Sequence, residues 1–216
     1  RAPTPPAILW LVAAMAAIEA VLWLSGSGRL GTGGDWRWEA IIRGAFWRPV
    51  LTGAIAPAWP GQGAAMFVTH AFLHGGPLHM ILNGVILLAL GREISLRAGQ
   101  GAMLALFFAS AVAGAGTFAA LSGSDSPMVG ASGAVFGFLG VWLVWMGAAR
   151  RARGMGAGPI WRMVAVLVGL NVVMFFGLGG ALAWEGHLGG FLTGAAVARP
   201  LMARARRRAA QSSRRR

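Results

Sequence analysis

The chain has 216 residues, 56% of them hydrophobic, with a mean hydropathy of +0.64 and only 12% charged residues. Soluble domains carry about 45–50% apolar and ~25% charged residues, so an ordinary soluble domain is excluded and a multi-pass membrane protein is indicated. There is no cysteine, hence no disulfide framework and no thiolate chemistry, and the net charge of +13 is carried mostly by arginines in short connections and a C-terminal run, which marks membrane-flanking segments rather than a nucleic-acid surface.

A membrane-spanning helix needs ~20 mostly apolar residues. Runs of that kind occupy residues 7–24, 77–91, 103–121, 133–149, 160–178 and 183–202. The first lacks the small-residue cleavage site of a signal peptide and reads as a span. The second is short and can continue past Gly91 to Arg97, with its basic end in the interface. Between them, residues 25–66 mix Arg29, Asp35, Arg37, Glu39, Arg43 and Arg48 with Trp36, Trp38, Trp47 and Trp59. Tryptophan with mixed charge suits the membrane–water interface, so this segment reads as a long, partly helical interfacial loop with its tryptophans in mostly structural roles. The expected plan is an all-α membrane protein: one six-span domain over residues 1–203 and a basic tail over 204–216. The tail reads as a disordered anchor beside anionic lipid headgroups.

Six spans put both termini on one side. With that side cytoplasmic, the inner arginines are Arg1, Arg92, Arg97, Arg150, Arg151, Arg153, Arg162, Arg199 and the seven of the tail, fifteen in all, against Arg29, Arg37, Arg43 and Arg48 outside. The positive-inside rule then orients the chain with both termini in the cytoplasm. Arginine without lysine, with much alanine and glycine, fits GC-rich coding, and the expected location is a bacterial inner membrane. Ser132 then starts the fourth span near the outer face, and His187 lies at the same depth near the start of the sixth.

Three groups of residues could carry chemistry. Ser132 stands in Gly130-Ala131-Ser132-Gly133 at the head of an apolar helix. Amides there lack intrahelical partners and favour negative charge, as a tetrahedral oxyanion requires. Gly130 and Gly133 allow close approach. A plain serine N-cap reads the same fragment equally well, and no strand precedes it as a soluble hydrolase elbow would need. A serine nucleophile needs a base, and His187 is the one histidine in a late span. Gly190 and Gly194 share its helical face, while Gly133, Gly137 and Gly140 form a small stripe on the fourth span, so the two helices can pack closely.

The third group is "THAFLHGGPLHMILNG", residues 69–84. Pro77 suits a helix start, and His79 and Asn83 share one face and can both donate hydrogen bonds. Three histidines, His70, His74 and His79, raise a zinc reading, but the HExxH motif with its general-base glutamate is absent, so neither a metal nor a cofactor is expected. Glu185 and His187 point to nearly opposite helix faces, and Asp125 reads as a solvated loop acid, so neither carboxylate is expected to serve Ser132 and His187 as a third member. Glu19 and Asn171 are costly in lipid and must find partners; interhelical hydrogen bonding accounts for both.

These residues resemble the rhomboid family of intramembrane serine proteases. The family has a six-helix core, a serine in a GxSxG-type stretch on the fourth helix, a histidine on the sixth, and an HxxxxHxxxN pattern on the second. His74, His79 and Asn83 stand at those spacings; Gly130, Ser132 and Gly133 match the serine stretch, with Ala134 where a glycine is usual; His187 is followed by Gly190 and Gly194. The resemblance covers roughly residues 5–203. It implies a rhomboid-like bundle with Ser132 as nucleophile, His187 as base, and His79, Asn83 and the amides of Ala131 and Ser132 around the oxyanion. It implies further that His74 stands near where water reaches the site, and that Phe136, in a place often held by tyrosine, packs on the catalytic histidine. The family's Trp-Arg pair falls here at Ala65-Met66, leaving Trp36-Arg37 and Trp47-Arg48 as open alternatives. The implied function is proteolysis of transmembrane protein substrates within the lipid bilayer. The alternative is a catalytically inactive relative that binds membrane clients, although such relatives lack the dyad this chain keeps.

Overall fold

A computed structural model of the chain describes residues 3–29 and 36–213. Arg1, Asp35 and the last three arginines of the tail lie outside the described residues. The described residues form helices α1 (Pro6–Gly26), α2 (Trp36–Gly44), α3 (Arg48–Thr52), α4 (Gln62–Thr69), α5 (Pro77–Ala98), α6 (Gln100–Leu121), α7 (Ser132–Ala152), α8 (Gly158–Gly177) and α9 (Trp184–Ser213), with a 3-10 turn at His70–Phe72 after α4. No strand occurs among them; the nearest thing is an isolated antiparallel bridge between Phe46 and Met128.

Prolines mark the first turns of α1, α5 and α8, where a missing N–H leaves no bond unmade. Gly99 alone joins α5 to α6, at φ +98, a conformation that residues with a Cβ rarely adopt. The reversal makes these helices antiparallel neighbours. α7 is central: Gly133, Ala134, Val135, Gly137, Phe138, Gly140, Val141, Leu143 and Trp145 are all buried, and it packs on α5, α6 and α9. The main core joins Ile8 and Met15 of α1, Leu87 and Ile94 of α5, Phe107 of α6 and Phe138 of α7.

Five helices, α1, α5, α6, α7 and α8, are long and apolar enough to cross a membrane. Trp10, Leu78, Trp161, Val173 and Phe176 on their outer faces are each more than two-thirds exposed, a surface untenable in water and natural in lipid. The chain is a multi-pass membrane protein. The sixth expected span falls within α9, which is not one of the five; Glu185, His187 and Arg199 interrupt its apolar run. α8 differs from the rest in burying none of its residues.

The tail departs from its expected disorder. α9 continues through Pro200 to Ser213. Alanine and arginine are strong helix formers, and the tail has partners: Arg204 Nε donates to the Ala98 carbonyl at 2.8 Å, one of the carbonyls at the end of α5 that have no donor within the helix, while the Arg208 guanidinium lies beside Gly99.

Residues 36–72 fold onto the bundle as α2, α3, α4 and the 3-10 turn. The C-terminal carbonyls of α2 are capped by side chains: Ile41 by Trp47 Nε1 at 3.1 Å, Ile42 by Gln62 Nε2 at 2.6 Å, Arg43 by Trp59 Nε1 at 2.9 Å and Gly44 by Thr69 Oγ1 at 2.7 Å. Two of the tryptophans thus serve as helix caps. Phe46, Met66, Ala115, Phe118 and Met128 form a second apolar cluster that seats this segment on α6 and on the stretch before α7.

Candidate active site

The stretch leading into α7 is held from the side by the first loop. Phe46 and Met128 exchange both backbone hydrogen bonds, at 3.0 and 2.9 Å, and the Gly130 amide donates to the His70 carbonyl at 2.9 Å. Gly130 has φ +118, in the region that favours glycine. Ala131 precedes the helix and Ser132 is its first residue, so the amides at this end have no carbonyl one turn back and are left to a ligand or solvent.

α9 lies on α7 at glycine distance. A Cβ at Gly190 would overlap the Gly133 carbonyl, and one at Gly194 would overlap that of Gly137. The glycine stripes expected from the sequence therefore face each other, and their contact brings the first turn of α9 to the head of α7. His187 Nε2 is 2.8 Å from Ser132 Oγ. The Phe136 ring, one turn along α7, stacks on the imidazole with centroids 4.3 Å apart and 6° between planes. The other ring nitrogen, Nδ1, is 2.6 Å from Asn171 Oδ1 on α8.

His79 and Asn83 border the same space from α5. The Gly75 amide donates to His79 Nδ1 at 3.3 Å. A neutral imidazole bonded in this way carries its proton on Nε2, the nitrogen that faces Gly130: a Cβ placed there would sit 2.8 Å from it and 3.8 Å from Asn83 Nδ2. Asn83 Nδ2 gives one hydrogen to the His79 carbonyl at 3.1 Å, which leaves its second hydrogen available. Two side-chain donors therefore lie near Gly130, two residues before Ser132 at the head of α7.

The remaining histidines diverge. His70 turns away, its Nδ1 2.9 Å from the Met66 carbonyl and its ring 6.3 Å from that of Phe46. Its contribution to the site is its carbonyl, which holds Gly130. His74 is buried with its ring edge-on to His79 at 5.1 Å. Burial lowers the pKa of both His70 and His74 to about 4; for His74 the neighbouring His79 adds to the effect. Among the described residues no three His, Asp or Glu side chains are grouped as a metal ion would need.

Asp125 and Glu19 are engaged elsewhere. Asp125 is exposed, with its carboxylate 3.8 Å from Arg48. Glu19 in α1 takes Arg37 through both oxygens, at 3.0 and 2.7 Å, and Arg37 also donates to the His74 carbonyl at 2.7 Å. Of the two Trp-Arg pairs in the loop, Trp36-Arg37 is therefore the one tied to the histidine segment. The sequence shows Asn171 as a polar residue that needs a partner in lipid, but no local signal identifies that partner as His187. Likewise nothing local pointed to Phe46 or to the His70 carbonyl as supports of the serine turn.

A helical membrane protein with a hydrogen-bonded serine–histidine pair at the head of a buried helix is the class that fold and site define. The chain belongs to the rhomboid family: the Rhomboid domain model matches residues 61–204. It is 33% identical over 153 residues to Rhomboid-like protease 3 of Toxoplasma gondii, covering 68% of this chain and 56% of that protein. It is 32% identical over 146 residues to Rhomboid protease GlpG of Photorhabdus laumondii, covering 65% and 50%, and 30% identical over 127 residues to Rhomboid protease GluP of Bacillus subtilis, covering 59% and 24%. The chain thus matches from about a quarter to a little over half of these proteins' lengths.

Proposed function

We propose that the protein is an intramembrane serine endopeptidase that cleaves transmembrane segments of membrane proteins near the outer face, through a Ser132–His187 dyad. The observation that carries this reading is the 2.8 Å contact between Ser132 Oγ and His187 Nε2, made between helices far apart in sequence. The names of its relatives, all proteases, point the same way. α9 serves as the sixth span, both termini face the cytoplasm, and the membrane is a bacterial inner membrane. The arginine distribution supports this orientation.

The chemistry follows from the groups present. Ser132 Oγ attacks the scissile carbonyl carbon as its proton passes to His187 Nε2. The carbonyl oxygen becomes an oxyanion, stabilised by the amides of Ala131 and Ser132 and by His79 Nε2–H and Asn83 Nδ2–H. Collapse breaks the C–N bond, the leaving nitrogen takes the proton from His187, and an acyl ester remains on Ser132. Water then attacks the ester with His187 again as base, releasing the acid and restoring the serine. Phe136 keeps the imidazole plane in register throughout. No step requires a metal or a cofactor.

The test is cleavage of a transmembrane model substrate by the detergent-purified chain and by Ser132→Ala. The alanine variant is expected to melt with the wild type and to yield no product. It should also lose labelling by a serine-reactive fluorophosphonate. A folded alanine variant that cleaves at an undiminished rate removes Ser132 as the nucleophile.

A further inference from the structure

A cavity of about 540 Å3 lies between α8 and the helices that carry the dyad, lined by Val164, Leu167, Val168 and Phe175 of α8 and by Leu188 and Phe191 of α9, among others. Apart from the Trp184 indole, Asn171 and His187 bring the only polar side-chain atoms to this wall. The helix that supplies Asn171 buries none of its residues. An amide in such a helix is costly in lipid unless it is bonded, and both ends of this one are engaged. Asn171 Nδ2 donates to the Leu167 carbonyl at 2.8 Å, which orients the amide, since the reverse assignment would set two acceptors against each other. Oδ1 therefore faces His187 Nδ1 at 2.6 Å. An amide oxygen only accepts, so Nδ1 must hold the proton of the neutral imidazole. Nε2 is then left with a free lone pair toward Ser132, as a general base requires.

We propose that Asn171 is a positioning residue for the reaction: its side-chain oxygen on α8 fixes His187 of the dyad in the base-competent tautomer and orientation. This rests on the proteolytic reading above. It assigns to a neutral amide the orienting part that a carboxylate plays in soluble serine proteases. Glu185 takes no such part, because His187 Nδ1 is already engaged by Asn171.

The test compares the unaltered chain with Asn171→Leu, which keeps the volume and loses the acceptor, and Asn171→Asp, which keeps an acceptor oxygen. Cleavage of the transmembrane substrate is expected to fall roughly 10–100-fold in kcat for the leucine variant, the size of loss seen when a metal-bound histidine loses its orienting partner. KM should stay within about twofold, with an unchanged melting temperature. The aspartate variant should retain most of the lost rate. A wild-type kcat in Asn171→Leu overturns the proposal, as does an equal loss in both variants that tracks their melting temperatures. Imidazole 15N spectra of histidine-labelled protein, with the His187 signals assigned by their absence in His187→Gln, supply a readout independent of turnover. The wild type should show Nδ1 protonated and the leucine variant a shift toward protonated Nε2; identical spectra overturn the proposal. If the wild type cleaves no faster than Ser132→Ala, the proteolytic reading fails, and the spectra still decide whether Asn171 sets the tautomer.

Discussion

The Gly130 backbone lies against the His79 ring, so closely that a Cβ there would sit 2.7 Å from Cε1 and 2.8 Å from Nε2. The same residue has φ +118. Gly130→Ala therefore meets two obstacles at once: backbone strain of about 1–3 kcal/mol and a clash that pushes His79 and the serine turn apart. A misplacement of about 1 Å costs on the order of 10²-fold in rate. Turnover is expected to fall by at least that much, with a modest loss of melting temperature. Full activity in this variant would mean that His79 does not line the reacting centre.

His79 and Asn83 are expected to act on the transition state more than on binding. Removing one oxyanion donor in serine hydrolases lowers kcat by roughly 10²–10³; here neighbouring amides and water soften the loss. Asn83→Ala should be partly active and His79→Ala weaker, with the double variant less than multiplicatively worse. Steady-state kinetics should show kcat falling more than KM rises, and fluorophosphonate labelling of Ser132 should slow in step. If both variants keep full kcat and lose only stability, the pair is a packing contact.

The Arg37–Glu19 pair holds the first loop to α1, with the Glu19 side chain 5% exposed and that of Arg37 24%. Arg37→Ala leaves the Glu19 carboxylate unpaired and releases the His74 carbonyl. Breaking a buried pair from one side costs about 3 kcal/mol. A marked fall in melting temperature is expected, with activity lost in parallel. Glu19→Gln combined with Arg37→Ala should be less harmful than the sum of the two single changes. Additive losses would show that the pair is not coupled.

Stability should depend on acid in a defined window. His70 and His74 titrate at about 4 in the folded protein because both are buried, and near 6.5 when unfolded. Between those values the unfolded chain binds more protons, so stability is complete above about pH 6.5 and declines as pH falls toward about 4. Melting temperatures of the detergent-solubilised protein across that range test this. His70→Gln, which cannot titrate but can still donate to the Met66 carbonyl, should flatten the slope. A wild-type profile without slope between those limits contradicts the assignment.

Reporter fusions at the two ends should both read as cytoplasmic. The basis is the fifteen-to-four division of arginines across the expected spans. A C-terminal reporter active on the outer side would remove α9 from the membrane-crossing set and with it the shared depth of Ser132 and His187.

Composition and hydropathy by themselves determined the class of the protein and the existence of its helices, because lipid admits few alternatives to a closed backbone ladder. They also located the serine turn, the late histidine and the shared face of His79 and Asn83, since helical spacing is a local property. The glycine stripes even indicated which helix faces meet, because only small residues allow such an approach. Three things were decided only in three dimensions. Asn171 is legible as a polar residue in lipid, but its bond to His187 depends on where α8 lies across the cavity from α9. The hold of Phe46 and His70 on the serine turn comes from backbone groups, which carry no residue signature. The tail, which reads as a disordered anchor beside lipid headgroups, is helical as far as Ser213, where α9 runs on and Arg204 finds the Ala98 carbonyl. In each case the deciding contact joins segments distant in the chain, and the energy that selects it appears only once the helices are packed.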